Sequence, residues 1–311
     1  YQTGRPLTDP DLDAVSELHT VTGAKPALLA GSGVNVRLST PAPAGDLHGA
    51  TRWFYSGRSL QSDNLDARLR RFHFPGPERF NHLADGSGQM GGKLPHRAAA
   101  WPFFASLSTQ QLSKTLGGFA QPIDVRVYRA LAELAPLSRG RERLDLLYSG
   151  QHIFDSHEGA EPRLAPSATT RGNHNFHQFQ TRWNRALSSN LWLAAGFGVA
   201  RAIISSGIQT GLAGASTINL PSLTRTGPAS LSMAGIRTRY QGNVLIKTVR
   251  GSHGLNLGAD WQRSYISNRW DALEGKEQIL VNRVSAAVTR WNTPAAARSH
   301  TQDIALFVQD A

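Results

Sequence analysis

Residues 15–57, VSELHTVTGAKPALLAGSGVNVRLSTPAPAGDLHGATRWFYSG, decide how this chain is read. Two stretches of alternating character are joined by a glycine-punctuated link, and Val34-Asn35-Val36 heads the second of them. Thr40 to Leu47 makes a short linker, after which His48-Gly49-Ala50 opens a strand pattern carrying three consecutive aromatics, Trp53, Phe54 and Tyr55. Alternation with a period of two is the mark of strands whose two faces meet different surroundings. The passage therefore predicts two short strands, a linker and a third strand.

The same alternation recurs downstream. Leu255, Leu257, Ala259 and Trp261 share one face, and Asn256, Gly258, Asp260 and Gln262 share the other. Val244–Val249 joins that strand through Arg250-Gly251-Ser252-His253, a link suited to a hairpin. Further strands are predicted at Phe103–Leu112, Leu144–Ile153, Phe176–Trp183, Leu191–Ala202 and Asp303–Gln309, with a turn at Gly91–Pro95. Pro122–Leu134 has apolar residues near helical spacing and reads as a loop helix, while Thr109–Leu116 is ambiguous. The links alternate in length: Arg185–Asn190 and Arg250–His253 are short, whereas Ser156–Asn173 and Ser264–Ser299 are long and rich in turn-forming residues.

That asymmetry points to a membrane barrel, which keeps short turns on one side and long loops on the other. Backbone polar groups must all be satisfied inside lipid, so a β chain crosses only as a closed barrel, in strands of about 9–11 tilted residues. Aromatics toward strand ends (Trp53–Tyr55, Trp101, Trp183, Trp192, Trp261, Tyr265) fit interfacial girdles. A mean hydropathy of −0.32 does not contradict this, because the polar face of each strand dilutes the apolar one. Helical spans are excluded, since no run of about 18 apolar residues exists.

Cysteine is absent, which excludes disulfides, zinc–cysteine sites and thiol nucleophiles. The net charge of +11 is carried mostly by arginine. Those arginines are scattered through strand-like segments and not gathered in one stripe, so a lumen lining or loops meeting anionic lipopolysaccharide account for them better than nucleic acid does. Tyr1 opens a polar stretch with no leader, and the strand pattern at Ile304–Asp310 runs up to Ala311, so the chain is expected to be a fragment.

Four motifs carry a family resemblance. Val34-Asn35-Val36, the Thr40–Leu47 linker and His48-Gly49 resemble the step from plug to barrel in TonB-dependent outer-membrane receptors. Gly91-Gly92-Lys93-Leu94-Pro95 is similar to that family's periplasmic turn, though its proline follows Lys93 and Leu94. Gly254–Trp261 and Asp303–Asp310 are similar to two of its barrel strands. The nearest subgroup bears a carboxypeptidase-regulatory-like N-terminal domain.

The resemblance implies an all-β fold: an incomplete antiparallel transmembrane β-barrel of roughly 8–10 strands over residues 47–311, preceded by the C-terminal strands of a plug domain and a linker over residues 1–46. It implies a receptor in the outer membrane of a Gram-negative cell that imports an extracellular ligand with TonB-supplied energy. Its partners would be outer-membrane lipid and lipopolysaccharide, an unknown small ligand, and the TonB complex through a segment ahead of this chain, with no nucleic acid. Plugged transporters have roughly 22 strands, so this chain cannot enclose a plug alone. The rival reading is a soluble or secreted β-sandwich that binds carbohydrate or protein; an enzyme on a β scaffold is a third.

No catalytic, cofactor-binding or metal-binding residue is assigned, and no cofactor is expected. There is no nucleophile elbow, Gly31-Ser32-Gly33 being too short, and no phosphate-cradling loop. His174 and His177 would face opposite ways on a strand. His152 and His157 flank a turn, with Asp155 and Glu158 nearby, and form the one local His/carboxylate grouping, at a spacing that follows no metal pattern. His48 belongs to the strand entry.

Overall fold

The computed structural model describes residues 12–21, 35–41, 46–62, 68, 78–94 and 100–310. A first antiparallel pair, β1 (Glu17–Val21) and β2 (Asn35–Ser39), is followed by β3 (His48–Gly57), β4 (Arg79–Leu94), β5 (Trp101–Thr115), β6 (Ile123–Arg139), β7 (Glu142–Glu158), β8 (Thr170–Ala186) and β9 (Leu191–Ile208). Short strands β10 (Ser216–Asn219) and β11 (Thr224–Thr226) precede β12 (Ser232–Arg250) and β13 (His253–Asp271). Then come β14 (Lys276–Val281), β15 (Val284–Arg290) and β16 (Ala295–Asp310). The long strands build one ten-stranded antiparallel sheet, ordered β16-β13-β12-β9-β8-β7-β6-β5-β4-β3.

Strands β4 to β9, β12, β13 and β16 run for 15 to 19 residues. That exceeds the roughly 9–11 needed to cross hydrocarbon, so each continues past an apolar zone at one end. On one side the links are short: 95–100, 140–141, 187–190 and 251–252. Gly140 (φ 57°) and Gly251 (φ 62°) open two of these hairpins in the left-handed region that two-residue turns require. On the other side lie 58–78, 116–122, 159–169, 209–231 and 272–294. The alternation of short and long links expected from the sequence is thus present along the whole sheet.

Several boundaries differ from the sequence reading. Pro122–Leu134 is not helical; it enters β6, where Val125, Val127 and Leu131 face one way and Tyr128, Ala130, Ala132 and Leu134 the other. Apolar residues on both faces blurred the period of two and imitated helical spacing. Thr109–Leu116 belongs to β5 for all but its last residue. Gly91–Leu94 is still strand, with Gly92 opposite Phe103 and Leu94 opposite Trp101, and Pro95 lies outside the described residues. His152 and His157 flank no turn, since both lie within β7. The long links are shorter than predicted, at 159–169 and 272–294, and the second holds β14 and β15.

The sheet has two unlike faces. Register places Trp183, Ala195, Val244, Ala259 and Leu306 in one row across β8, β9, β12, β13 and β16. Thr181, Phe197, Gly242, Trp261 and Ile304 form the next row, with Leu193, Ile246, Leu257 and Val308 beyond the first. These side chains are uncovered: Leu306 is 79% exposed and Ile304 68%. Toward the long-loop side this outer face is rimmed by Tyr128, Tyr148, Phe179, Tyr240 and Tyr265, with Tyr240 and Tyr265 packed edge to face at 6.3 Å. Toward the short turns stand Trp101 and Trp183, whose indole N–H donates to Glu142 at 2.8 Å. Trp261 sits within the band and not at its rim, and Trp192 lies on the opposite face.

Leu255 and Tyr265 are ten residues apart on β13, about 33 Å along the strand and about 23 Å along the normal of a sheet tilted near 45°. That matches the apolar band of outer-membrane barrels, about 25 Å tall. A β-sandwich would bury these rows against a second sheet; here they are exposed.

Candidate functional site

The inner face is polar because it uses the other half of each alternation. Arg143 and Asp145 on β7, Gln180 and Arg182 on β8, Arg239 and Gln241 on β12, Asp260 and Gln262 on β13, and Asp303 on β16 line a cavity of about 860 Å³. Charges of both signs are interleaved: Arg143 Nε lies 2.7 Å from Asp145, and Arg239 donates to Gln262. Leu38, Ser39 and Thr40, at the end of β2, line the same cavity.

Residues ahead of the sheet thus pack against its inner face at two places. The Thr40 hydroxyl donates to Glu133 on β6. Asp13 accepts from Arg52 on β3 at 2.7 Å and from Ser87 on β4 at 2.8 Å, while Arg52 also reaches Asp85 at 3.0 Å. Such part-exposed pairs contribute modestly to stability but fix which face is covered. Of the passage that opened the reading, β2 starts at Asn35, and Val34 lies outside the described residues, as do 31–33. His48 begins β3 and its Nδ1 lies 3.0 Å from the Asp46 carbonyl, in keeping with strand entry.

On the long-loop side three links are fused. β10 pairs in parallel with β14, joining 209–231 to 272–294 in a four-stranded sheet ordered β11-β10-β14-β15. Ser216 donates to the buried Glu277 at 3.2 Å inside that junction. Loop 159–169 joins through Arg225, whose N–H donates to the Arg163 carbonyl and whose own carbonyl accepts from Ala165. Beneath it Thr169, 1% exposed, donates to the Pro166 carbonyl and accepts from Gln209, with His157 Nδ1 2.8 Å away and Phe119 edge-on to the imidazole. Burial pushes the His157 pKa down, although Asp155 opposes it.

Glu158 gathers the neighbouring strands: His174 Nε2 lies 3.2 Å from one oxygen, and Ser206 and Thr170 donate to the other. Burial alone would raise this carboxyl, but the bonds from His174, Ser206 and Thr170 outweigh it and hold the pKa below the ordinary value. This cluster escaped the sequence reading. It depends on a bulge between Asp155 and Glu158 that rephases the end of β7 against β8, and no local pattern announces it.

The histidines do not converge. His174 faces inward to Glu158, and His177 faces outward, stacked on Tyr148 with Nδ1 2.9 Å from its hydroxyl. His152 is outward as well, 2.9 Å from Asn173, and separated from the half-buried His157. Among the described residues no three His, Cys, Asp or Glu side chains form a group able to hold a metal.

No family profile matches the sequence, and no curated protein matches it. Among solved structures the chain is similar to the outer membrane transporter YddB from Escherichia coli, with a TM-score of 0.68 and 10% identity over 97% of this chain and 41% of that one. It is also similar to BauA, the ferric preacinetobactin receptor from Acinetobacter baumannii, with a TM-score of 0.50 and 10% identity over 89% and 40%. The chain spans about two fifths of the length of either. At that identity the likeness is one of fold: the ten-stranded sheet has the architecture of an outer-membrane transporter wall.

Proposed function

We propose that this chain is part of a TonB-dependent receptor of the Gram-negative outer membrane, which binds an extracellular ligand and imports it with energy from the TonB complex. Residues 1–46 are the end of the plug and its linker, and residues 47–311 the first part of the barrel wall. The long-loop side faces outward from the cell, and the edges of the sheet, β3 and β16, are where the remaining strands of a closed wall join. The observation that carries this reading is the pairing of an uncovered apolar band, rimmed by aromatics, with a polar inner face against which residues 13 and 38–40 pack.

The chemistry asked of the chain is modest. It supplies a polar passage and a rigid, loop-built outer surface for first contact, formed by links 209–231 and 272–294. The unmatched ligand defines the test. Spent medium from cells carrying or lacking the gene is compared by untargeted mass spectrometry, with and without a functional TonB system. Depletion of a compound only when both are present is expected. Equal depletion after energy coupling is removed refutes the import reading.

A further inference from the structure

The loop sheet ends in a bare margin. In its order β11-β10-β14-β15, the last strand, β15, is paired along β14 alone. Trp291 donates to the Gly275 carbonyl at 2.7 Å, which fixes the phase of this antiparallel ladder. Glu277–Thr289, Ile279–Ala287 and Val281–Val284 are then the hydrogen-bonded pairs, with Lys276–Arg290, Gln278–Val288 and Leu280–Ser285 between them. The backbone N–H and C=O of Ser285, Val288 and Arg290 therefore point away from β14, and no strand lies beside them among the described residues.

Edge strands are usually blunted by charge or proline. Val284–Thr289 carries neither, and the bulge that leaves Ala286 unpaired is its one irregularity. Val284 and Val288, on opposite faces of the edge, are 69% and 51% exposed. Cations stand at both ends instead. Arg290 lies opposite Lys276 in a close, non-hydrogen-bonded pair, where like charges repel. Glu274 lies 3.3 Å from Lys276, but neither Arg290 nor Arg283 reaches a carboxylate among the described residues. Arg283 takes the second place of the two-residue turn Asn282-Arg283 at a φ of 68°, where glycine is the unstrained choice. Its N–H donates to Asn219 Oδ1 at 3.3 Å, which holds the turn in place. One arginine in a strained turn and another facing a lysine leave two cations to be met from outside the chain.

We propose that β15 is a docking edge for an extended peptide, which joins the four-stranded loop sheet as a further strand and sets carboxylates against Arg283 and Arg290. Main-chain donors and acceptors at strand spacing select a polypeptide, and the two arginines select acidic ends. The inference names the ligand class of the loop-built surface described above. It rests on that reading for one point, that the long-loop side faces outward from the cell.

The probe is a fluorescent peptide of seven residues, matched to β15, that alternates valine with threonine and has glutamate at both ends. It is offered to the full-length protein in nanodiscs and binding is read by anisotropy. The wild type should bind it and should not bind a version N-methylated at every amide, which keeps the side chains and loses the ladder donors. Val288→Pro removes an outward N–H that β14 does not use and should weaken binding about tenfold, whereas Val288→Thr should bind as the wild type does. Arg283→Gln with Arg290→Gln should weaken it about tenfold, from roughly threefold per arginine. Equal binding of the methylated peptide, or unchanged affinity in Val288→Pro, overturns strand addition. Slow exchange of the Val288 amide in the peptide-free protein overturns it too, because the protein's own chain then occupies the edge. Intact cells carrying the protein separate the two readings. A peptide bound by the purified protein but not by cells defeats the outward placement of the long loops, and one bound by neither defeats the docking edge alone.

Discussion

Val244→Arg separates a membrane wall from a water-exposed sheet more sharply than any other single change. Val244 lies on β12 between Ala195 and Ala259 and is 45% exposed. It stands four residues from Tyr240, about 9 Å below the rim in a band about 23 Å tall, and so near the middle. In water a substitution at so exposed a position shifts stability by no more than about 0.5 kcal/mol. Facing lipid near the midplane, arginine costs about 2–4 kcal/mol, a roughly 30- to 1,000-fold change in the folded-to-unfolded ratio. Asn243→Arg, one residue away on the inner face, should cost little in either setting. Reversible unfolding of the full-length protein in vesicles, titrated with denaturant, measures both. The reasoning fails if Val244→Arg stays within about 0.5 kcal/mol of the wild type, or if Asn243→Arg costs as much.

Gly251→Ala should destabilise by about 1–2 kcal/mol, because φ is 62° there, although nothing crowds the site; Gly207→Ala, equally uncrowded and at no positive φ, should be nearly silent in the same unfolding titration. Glu158→Gln should loosen the junction of β7, β8 and β9, read as faster hydrogen exchange in loop 159–169. The Glu158 pKa is lowered in the folded state, so its contribution is complete above the ordinary value of 4.5 and disappears as pH falls through the folded one; wild type and variant should converge in acid. Thr169→Val removes a hydroxyl that serves Gln209 and the Pro166 carbonyl, and should cost about 0.5–1.5 kcal/mol, because Gln209 keeps its bond to the Ser156 carbonyl and Pro166 its bond from the Thr169 N–H. The depressed pKa of His157 gives a second pH dependence: the folded loop favours neutral imidazole, so protection should fall as pH drops below 6.5, and a flat profile between pH 7 and 5 refutes that account.

Strand content and the alternation of link lengths were legible because both are local. Leu255–Gln262 announces its two faces in eight residues, and Gly251-Ser252 announces its hairpin. Strand ends were not legible, since β13 runs to Asp271 through Arg263-Ser264 and Ser267-Asn268-Arg269, and β16 begins with Ala295-Ala296-Ala297-Arg298-Ser299, stretches that interrupt the β signature. There the cross-strand register with β12 holds the backbone extended, and propensity gives way to pairing. The fusion of three loops through β10, β14 and Arg225 joins residues more than 50 positions apart in sequence, as Ser216 opposite Glu277 illustrates, and no window of sequence contains it. Of the passage at 15–57 the described part holds β1, β2 and β3, of which β3 joins the ten-stranded sheet.

The two faces also account for the charge that composition left open. On the inner face, cations meet anions directly, as Arg143 meets Asp145 and Arg52 meets both Asp13 and Asp85. Paired charges suit a face that meets water. On the outer face, Arg201, Arg263 and Arg298 have no such partners, and they cluster at one rim of the band. A nucleic-acid surface would gather its cations on a wettable groove or ridge, yet these stand between phenol rings beside exposed leucine and isoleucine. An arginine costs about 0–1 kcal/mol near the bilayer interface, against about 2–4 kcal/mol at the midplane. The central rows carry none: Ala195, Val244, Ala259 and Leu306, then Phe197, Gly242, Trp261 and Ile304. Cations sorted by depth in this way are explained by a hydrocarbon slab and not by water.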